Sequence, residues 1–417
     1  MSLESLRKDV ASAVDSMRDE LLALSHAIHG EPELSLEEFK AAARLSGAVA
    51  AHDIAVQREA FGLPTAYAAE FGKQGGPVVA ILSEYDALPG IGHACGHNII
   101  ATAGYGAAIA LSKLGARLPG VVRYLGTPAE ERHGGKELMA QFGAFDRADA
   151  AMMIHPSNMN LMTMPCIAVS DVEAVYHGRA AHASAMPYRG LNALDAVVTA
   201  YQAIAQLRQH IRNNERIHGI ITEGGLAPNI VPERAACRFY VRATDANELA
   251  PLKARVQACF EAGAMATGCR LELKWSGVDY LDFKTNWPLA EVFERHAREL
   301  GREFFPVKDI PQGFAGSTDM GNVSHRVPSI HPMLAVAPAG VIIHNPEFAR
   351  WAVSDRGDAG VIDGAKALAL TALELMTDGA LMNSVRSDFE VTAELSRLAV
   401  AKVGEKPHRH SGGCGCA

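Results

Sequence analysis

The order in which strand and helix patterns follow one another restricts the fold of this chain more than any other feature. Leu3, Leu6, Val10, Val14, Met17, Leu21, Leu24 and Ile28 recur at three- and four-residue steps, the stripe of an amphipathic helix, and Pro32 stops it. Residues 78–82 then read as a strand, 99–114 as a helix, 121–125 as a strand and 151–154 as a short apolar run. Such alternation implies a mainly parallel sheet flanked by helices. After about residue 168 the pattern changes: strands at 169–176, 217–222, 236–242 and 271–275 are interleaved with helices at 192–212 and 248–263. Signals of the first kind resume with a helix at 289–300, the run 341–343 and a last long helix at 360–377. The expected architecture is α/β, a domain with a mainly parallel central sheet interrupted by a smaller α+β domain. Its parts are 1–167 and 282–405 for the split domain and 168–281 for the insert, and 406–417 forms a Gly-rich tail with two histidines and two cysteines.

Hydrophobic residues make up 48% and charged residues 21% of the 417, the balance of an ordinary globular protein. Lys plus Arg number 39 against 47 Asp plus Glu, a formal charge of −8, and no clustered basic footprint is visible. Neither nucleic acid nor an anionic membrane surface is therefore the expected partner. No apolar run approaches the ~18 residues of a membrane span. The segment Met1-Ser2-Leu3-Glu4-Ser5-Leu6-Arg7-Lys8 does not read as a secretory leader, and seven cysteines, an odd number, do not read as a disulfide framework. The expected location is cytoplasmic.

Four segments share one design, an apolar run followed at once by metal-compatible side chains. They are 80–86 leading to His93-Ala94-Cys95-Gly96-His97, 124–131 ending in Glu130-Glu131, 152–154 followed by His155, and 341–343 followed by His344. Ligands of open α/β sheets bind outside the carboxyl ends of the strands, so these four ends are expected to converge on one crevice. Each residue alone has an ordinary reading: a hydrogen-bonded histidine, a buried thiol, a surface acid pair. Their convergence points to a metal site. Glu130 and Glu131 follow Pro128 and, as neighbours, point different ways, which lets one bind metal while the other handles protons. Cys95 precedes His97 by two residues with Gly96 permitting a tight turn, and a thiol held by a divalent cation is deprotonated.

The segment Glu84-Tyr85-Asp86-Ala87-Leu88-Pro89-Gly90-Ile91-Gly92-His93-Ala94-Cys95-Gly96-His97-Asn98 resembles the signature of the amidohydrolase branch of the aminoacylase and carboxypeptidase G metallopeptidases. That branch includes hippurate hydrolases, auxin-conjugate hydrolases and aminobenzoyl-glutamate hydrolase. The resemblance extends in order through 29–35, 128–131, His155-Pro156, 178–184, 228–232, 316–319 and 344–348. It implies a two-metal catalytic domain interrupted by a lid domain that also forms a homodimer. By position, Cys95, His97, Glu131, His155 and His344 are the implied metal ligands, Glu130 the general base and Asp86 the residue that orients a ligand from behind. His182 on the lid is implied to reach the partner subunit's active site and stabilise the oxyanion. Asn229, with Ser317 and Thr318, is expected at the substrate, although a Gly-Ser-Thr-Asp turn also serves as a helix cap. The Glu-Tyr-Asp and Cys-Gly-His-Asn forms look most like aminobenzoyl-glutamate hydrolase and related dipeptidases.

The reaction implied is hydrolysis of the amide bond of a small molecule: an N-acyl amino acid, a dipeptide or an aminobenzoyl-glutamate-like conjugate. Two divalent metals would bring the pKa of water from near 16 toward about 7 and so supply hydroxide, with Glu130 taking and returning the proton. A mixed imidazole, carboxylate and thiolate set suits zinc or manganese foremost, with cobalt and nickel compatible. Two other readings use the same residues: a hydrolytic deaminase of an electron-poor aromatic amine, and a binding subunit without turnover. All six metal and base positions are filled, which weighs against the last.

Overall fold

The computed structural model describes residues 2–310 and 315–404; the His/Cys/Gly tail at 406–417 lies outside the described residues. The chain divides into two compact units. One runs up to Cys166 and resumes over Phe283–Arg397; the other comprises Ile167–Asp282 and the segment from Leu398.

The first unit begins with α1 (Leu3–Ser16) and α2 (Arg18–Gly30), where the apolar stripe predicts one helix. The break is a tightened turn in which the Met17 amide bonds back to Val14 O. No Pro or Gly marks it, and the stripe stays in phase, so Val10, Val14, Met17, Leu21 and Ile28 are all buried. Next come α3 (Phe39–Ala50), β1 (Val56–Arg58), β2 (Tyr67–Gly72), β3 (Val78–Ser83), α4 (His97–Ser112), β4 (Val121–Gly126), α5 (Gly135–Gln141), β5 (Ala150–Met152) and β6 (His155–Ser157). Expecting one run to end at His155 is thus incorrect. β5 stops at Met152, and His155 opens the next strand.

The second unit holds β7 (Ala168–His177), α6 (Ala193–Leu207), β8 (Arg216–Glu223), β9 (Arg234–Ala243), α7 (Ala246–Thr267) and β10 (Arg270–Trp275). Its strands form one antiparallel sheet in the order β10-β7-β9-β8. Alternation along β7 and β9 sends Val172, Ala174, Tyr176, Phe239 and Val241 into a core shared with Ala196, Ile204, Val256 and Phe260 of the two helices. Asn192 and Asp245 cap those helices by accepting from the amides of their first turns. At the sheet edge, Ile220 and Ile221 of β8 are 65% and 44% exposed. Ala399 packs with Ala246 and Leu281 of this unit, so the chain after Leu398 does not close the first one.

The first unit resumes with α8 (Trp287–Glu299), α9 (Met320–Ser324), β11 (Ser329–Ile330), β12 (Met333–Ala335), α10 (Pro346–Trp351) and α11 (Asp355–Thr377). Its main sheet has the order β1-β2-β4-β3-β5-β11, parallel from β4 to β11 with β1 and β2 antiparallel at one edge, and β6 pairs in parallel with β12. Helix α4 is buried from His97 to Leu111 and shares its core with Val361, Leu368 and Leu373 of α11. Full burial of each such aliphatic side chain is worth about 1.5–3 kcal/mol. The run 341–343, expected as a strand, is irregular, because Pro338 and Gly340 turn the chain and His344 adopts a left-handed conformation, φ +62°. The strand belongs instead to Met333–Ala335. No helix among the described residues is long and apolar enough to cross a membrane.

Candidate metal centre

β3 and β4 run in parallel with Ser83 opposite Gly126, so the residues that follow both strands emerge side by side at their carboxyl ends. Beyond β3 come Glu84 and Asp86, both buried, and then Cys95-Gly96-His97 at the start of α4. Gly96 has φ +81°, and a Cβ there would stand 2.6 Å from Pro156 Cγ. Only glycine lets this turn close onto His155-Pro156. Beyond β4, the Pro128-Ala129-Glu130-Glu131 turn places Ala129 at φ +64°. Two carboxylates hold it from beneath: Glu38 Oε1 accepts from the Ala129 amide at 2.9 Å, and Asp86 Oδ2 accepts from the Glu131 amide at 3.0 Å. Glu38 also accepts from Thr65 Oγ1, and Asp86 from Ser35 Oγ.

Six of the residues singled out in the sequence meet here. Donor atoms of Cys95, His97 and His155 lie within 4.8 Å of one another, as do those of Cys95, Glu131 and His344, and those of His97, Glu130 and Glu131. Each of two imidazoles has its tautomer set by the partner of its other nitrogen. His155 Nδ1 donates to Pro156 O at 2.7 Å, leaving the Nε2 lone pair 3.4 Å from Cys95 Sγ. His97 Nδ1 donates to Asp86 Oδ1 at 3.1 Å, leaving Nε2 toward Glu131 Oε1 at 3.7 Å. His344 closes the group with Nε2 3.7 Å from Glu131 Oε1, its amide bonded to Ala94 O. Its side chain is 52% exposed, whereas His97 is fully buried.

This arrangement fits divalent cations. His97 Nε2 and Glu131 Oε1 are buried and have no hydrogen-bond partner among the described residues. In the neutral ring Nε2 turns a lone pair toward this carboxylate, an arrangement that a bound cation would relieve. Two donor atoms about 2.0–2.3 Å from one cation at a tetrahedral angle stand about 3.4–3.7 Å apart, the separations observed between these atoms. The electrostatics point the same way. Burial, reinforced by the charges of Glu84, Glu131 and Asp319, holds the Glu130 carboxyl well above the usual range, and burial raises Glu131 to about 7. Burial also pushes the Cys95 thiol up and pulls His155 down to about 4. Asp86 runs against the trend: burial would raise it, but the His97 hydrogen bond and charge, the Glu131 amide and Ser35 hold it at about 2. Bound cations reverse the sign of this logic and favour carboxylate and thiolate together.

Asp86, as nominated, holds His97 from behind, and four further nominated residues belong to other segments. His182 and Asn229 are on the second unit, exposed, in a loop pair where His182 bridges Ile230 and Ala183 N bonds Asn229 O at 3.0 Å. Thr318 is buried, its Oγ1 accepting from Met320 N at the start of α9, and Ser317 beside it is half-buried. Sequence reasoning passed over Lys136 and Glu38, and it gave Glu84 and Asp319 no role at the metals. Lys136 is fully buried and donates to Glu84 and Asp319. Gly135-Lys136-Glu137 carries no spacing signal. A hint lay in Glu84, an acid inside an otherwise apolar approach to Asp86.

The family model for peptidase family M20/M25/M40 matches residues 80–373. The chain is 40% identical over 410 residues to the Xaa-Arg dipeptidase of Mus musculus, covering 95% of each chain. It is 27% identical over 460 residues to a subunit of the p-aminobenzoyl-glutamate hydrolase of Escherichia coli, covering 93% of this chain and 95% of that one. Among solved structures, a dinuclear metal-binding peptidase of Bacillus subtilis has the same fold, with TM-score 0.62 and 20% identity over 87% of this chain and 99% of that one. A site of imidazoles, carboxylates and a thiol at the carboxyl ends of a parallel sheet, together with these matches, shows that the chain belongs to peptidase family M20/M25/M40 and is a hydrolase of amide bonds.

Proposed function

We propose that the chain cleaves dipeptides and related N-acyl amino acids, with two divalent cations held by Cys95, His97, Glu131, His155 and His344. The observation that carries this reading is the set of partnerless, buried donor atoms at His97 and Glu131 directly beside Glu130. Charge supports a pair of ions. The buried acids Glu84, Asp86, Glu130, Glu131 and Asp319 outnumber the one buried lysine among them by four, so their joint ionisation calls for added positive charge. Zinc or manganese is the first choice for this donor set, with cobalt and nickel also compatible. Such cations supply a polarising charge at the scissile carbonyl and acidify water.

The chain's own residues do the rest. Glu130, whose carboxyl is raised by burial and by neighbouring acids, takes a proton from the attacking water and delivers one to the departing amine. Asp86 keeps His97 in the tautomer that presents Nε2. His182 Nδ1 accepts from the amides of Ser184 and Ala185 at 3.3 and 3.2 Å, so its Nε2 carries the proton and is the donor offered to the oxyanion. Asn229, Ser317 and Thr318 contact substrate in this reading. His182 serves the active site of a dimer partner, and the exposed Ile220 and Ile221 on the β8 edge support a homodimer joined through this second unit. A single monomeric species with full activity in sedimentation would remove that part. A cytoplasmic location is supported by the free state of Cys95, Cys166, Cys237, Cys259 and Cys269.

The name of the mouse relative supports a dipeptide with C-terminal arginine as the substrate. The test is mass spectrometry of products from Xaa-Arg, Xaa-Lys and Xaa-Glu dipeptides, N-acyl amino acids and aminobenzoyl-glutamate, with manganese or zinc added. Release of free arginine above all others is the expected result. Intact substrates across the panel, with protein that carries metal, would contradict the reading.

A further inference from the structure

We infer that Glu84 supplies a further carboxylate oxygen to the metal centre, and that the buried Lys136 is the residue that positions it. Glu84 directly follows β3, and its side chain is fully buried. Its Oε2 accepts from Lys136 Nζ. The other oxygen, Oε1, has no hydrogen-bond partner among the described residues and lies 3.4 Å from His97 Nε2, which likewise has none. With Nδ1 committed to Asp86, the neutral His97 ring turns its Nε2 lone pair toward this carboxylate oxygen in a buried pocket. Two donors that share one cation at about 2.0–2.2 Å stand at this separation. Glu131 Oε1, also partnerless, faces the same His97 nitrogen at 3.7 Å. Glu84 Oε1 and Glu131 Oε1, neither with a hydrogen-bond partner among the described residues, thus each face the same His97 nitrogen.

Lys136 explains why Glu84 keeps this pose. Asp319 grips the lysine twice, accepting from its backbone amide at 2.8 Å and from Nζ at 2.6 Å. The ammonium is therefore fixed relative to the start of α5. A carboxylate with one oxygen tied to a fixed ammonium is left with one direction for the other, and here that direction is toward His97. A buried charge held between two acids is stable only as a set, so Glu84, Lys136 and Asp319 act as one unit. Among the described residues the hydrogen bonds of the Lys136 ammonium go to Glu84 and Asp319, which makes it a positioning residue.

The inference rests on the pocket being a metal centre, and the test separates the two. Calorimetric titration of the metal-free full chain with Mn²⁺ and with Zn²⁺ is compared with that of Glu84→Gln and Lys136→Met. Glu84→Gln is expected to weaken one site at least ~10-fold. Lys136→Met removes a nearby positive charge, which by charge alone would tighten cation binding; the inference predicts weakening instead. Wild-type affinity and stoichiometry in Glu84→Gln would overturn the ligand role, and tighter binding in Lys136→Met the positioning role. A wild-type chain that takes up no metal overturns the metal-centre reading and this inference with it. If the variants do not fold, anomalous diffraction from Mn²⁺-loaded wild-type crystals decides. Glu84 Oε1 within about 2.5 Å of an ion supports the ligand role, and a distance beyond about 3.5 Å overturns it.

Discussion

The Nδ1 of His97 donates to Oδ1 of Asp86 across 3.1 Å, and the second oxygen of the same carboxylate accepts from the amide of Glu131. One buried acid therefore orients an imidazole that opens α4 and the backbone of the turn after β4. In Asp86→Asn the amide can still accept from His97, but its NH₂ group then faces the Glu131 amide, donor against donor. Metal affinity is expected to fall about 10–100-fold, read by titration against a metal buffer. Unchanged affinity would show that Asp86 does not tune the ligands.

Glu38 gives the protein a pH signature. Burial first, and the charge of Asp86 second, raise its carboxyl from 4.5 to about 7. The folded state then holds a proton that the unfolded state has released between those values, so stability falls as pH rises through that window. A rise of this size corresponds to about 3 kcal/mol, absent below pH 4.5 and fully felt above 7. Glu38→Gln keeps an acceptor for the Ala129 amide and removes the titration. The difference between denaturant midpoints of the metal-free protein at pH 5 and pH 8 is expected to shrink in the variant. An unchanged difference between the two would mean that Glu38 is not the group responsible.

His182 is exposed, and its replacement by alanine removes no core packing. Loss of one oxyanion donor costs about 3 kcal/mol of transition-state stabilisation, so His182→Ala is expected to lower kcat about a hundredfold or more. Metal content and thermal midpoint stay at wild-type values. Wild-type turnover in this variant would remove His182 from the mechanism.

Much of the site was legible because metal chemistry needs rare residue types in recognisable company. Cys95, His97, Glu130, Glu131, His155 and His344 all follow or interrupt apolar runs, and they converge. The route by which two of them arrive was not legible. His155 opens a strand that pairs with Met333–Ala335, and His344 sits in a loop at positive φ, features fixed by long-range pairing and by a turn. Lys136, Glu84 and Asp319 were hidden for a different reason: burial of a charge depends on partners far apart in sequence, and 183 residues separate Lys136 from Asp319. The break at Met17 and the packing of Ala399 against Ala246 likewise follow from tertiary contacts that no local pattern carries.

The central claim is that one member of the adjacent acid pair moves protons while the other holds metal. Its most direct test is product release from a cleavable dipeptide by Glu130→Gln, with bound metal counted in the same samples and Glu131→Ala run beside it. The account predicts wild-type metal content and a loss of turnover of about 10²–10⁴-fold for Glu130→Gln, and loss of both metal and turnover for Glu131→Ala. Full turnover in Glu130→Gln, or metal lost from it and kept by Glu131→Ala, would contradict the account.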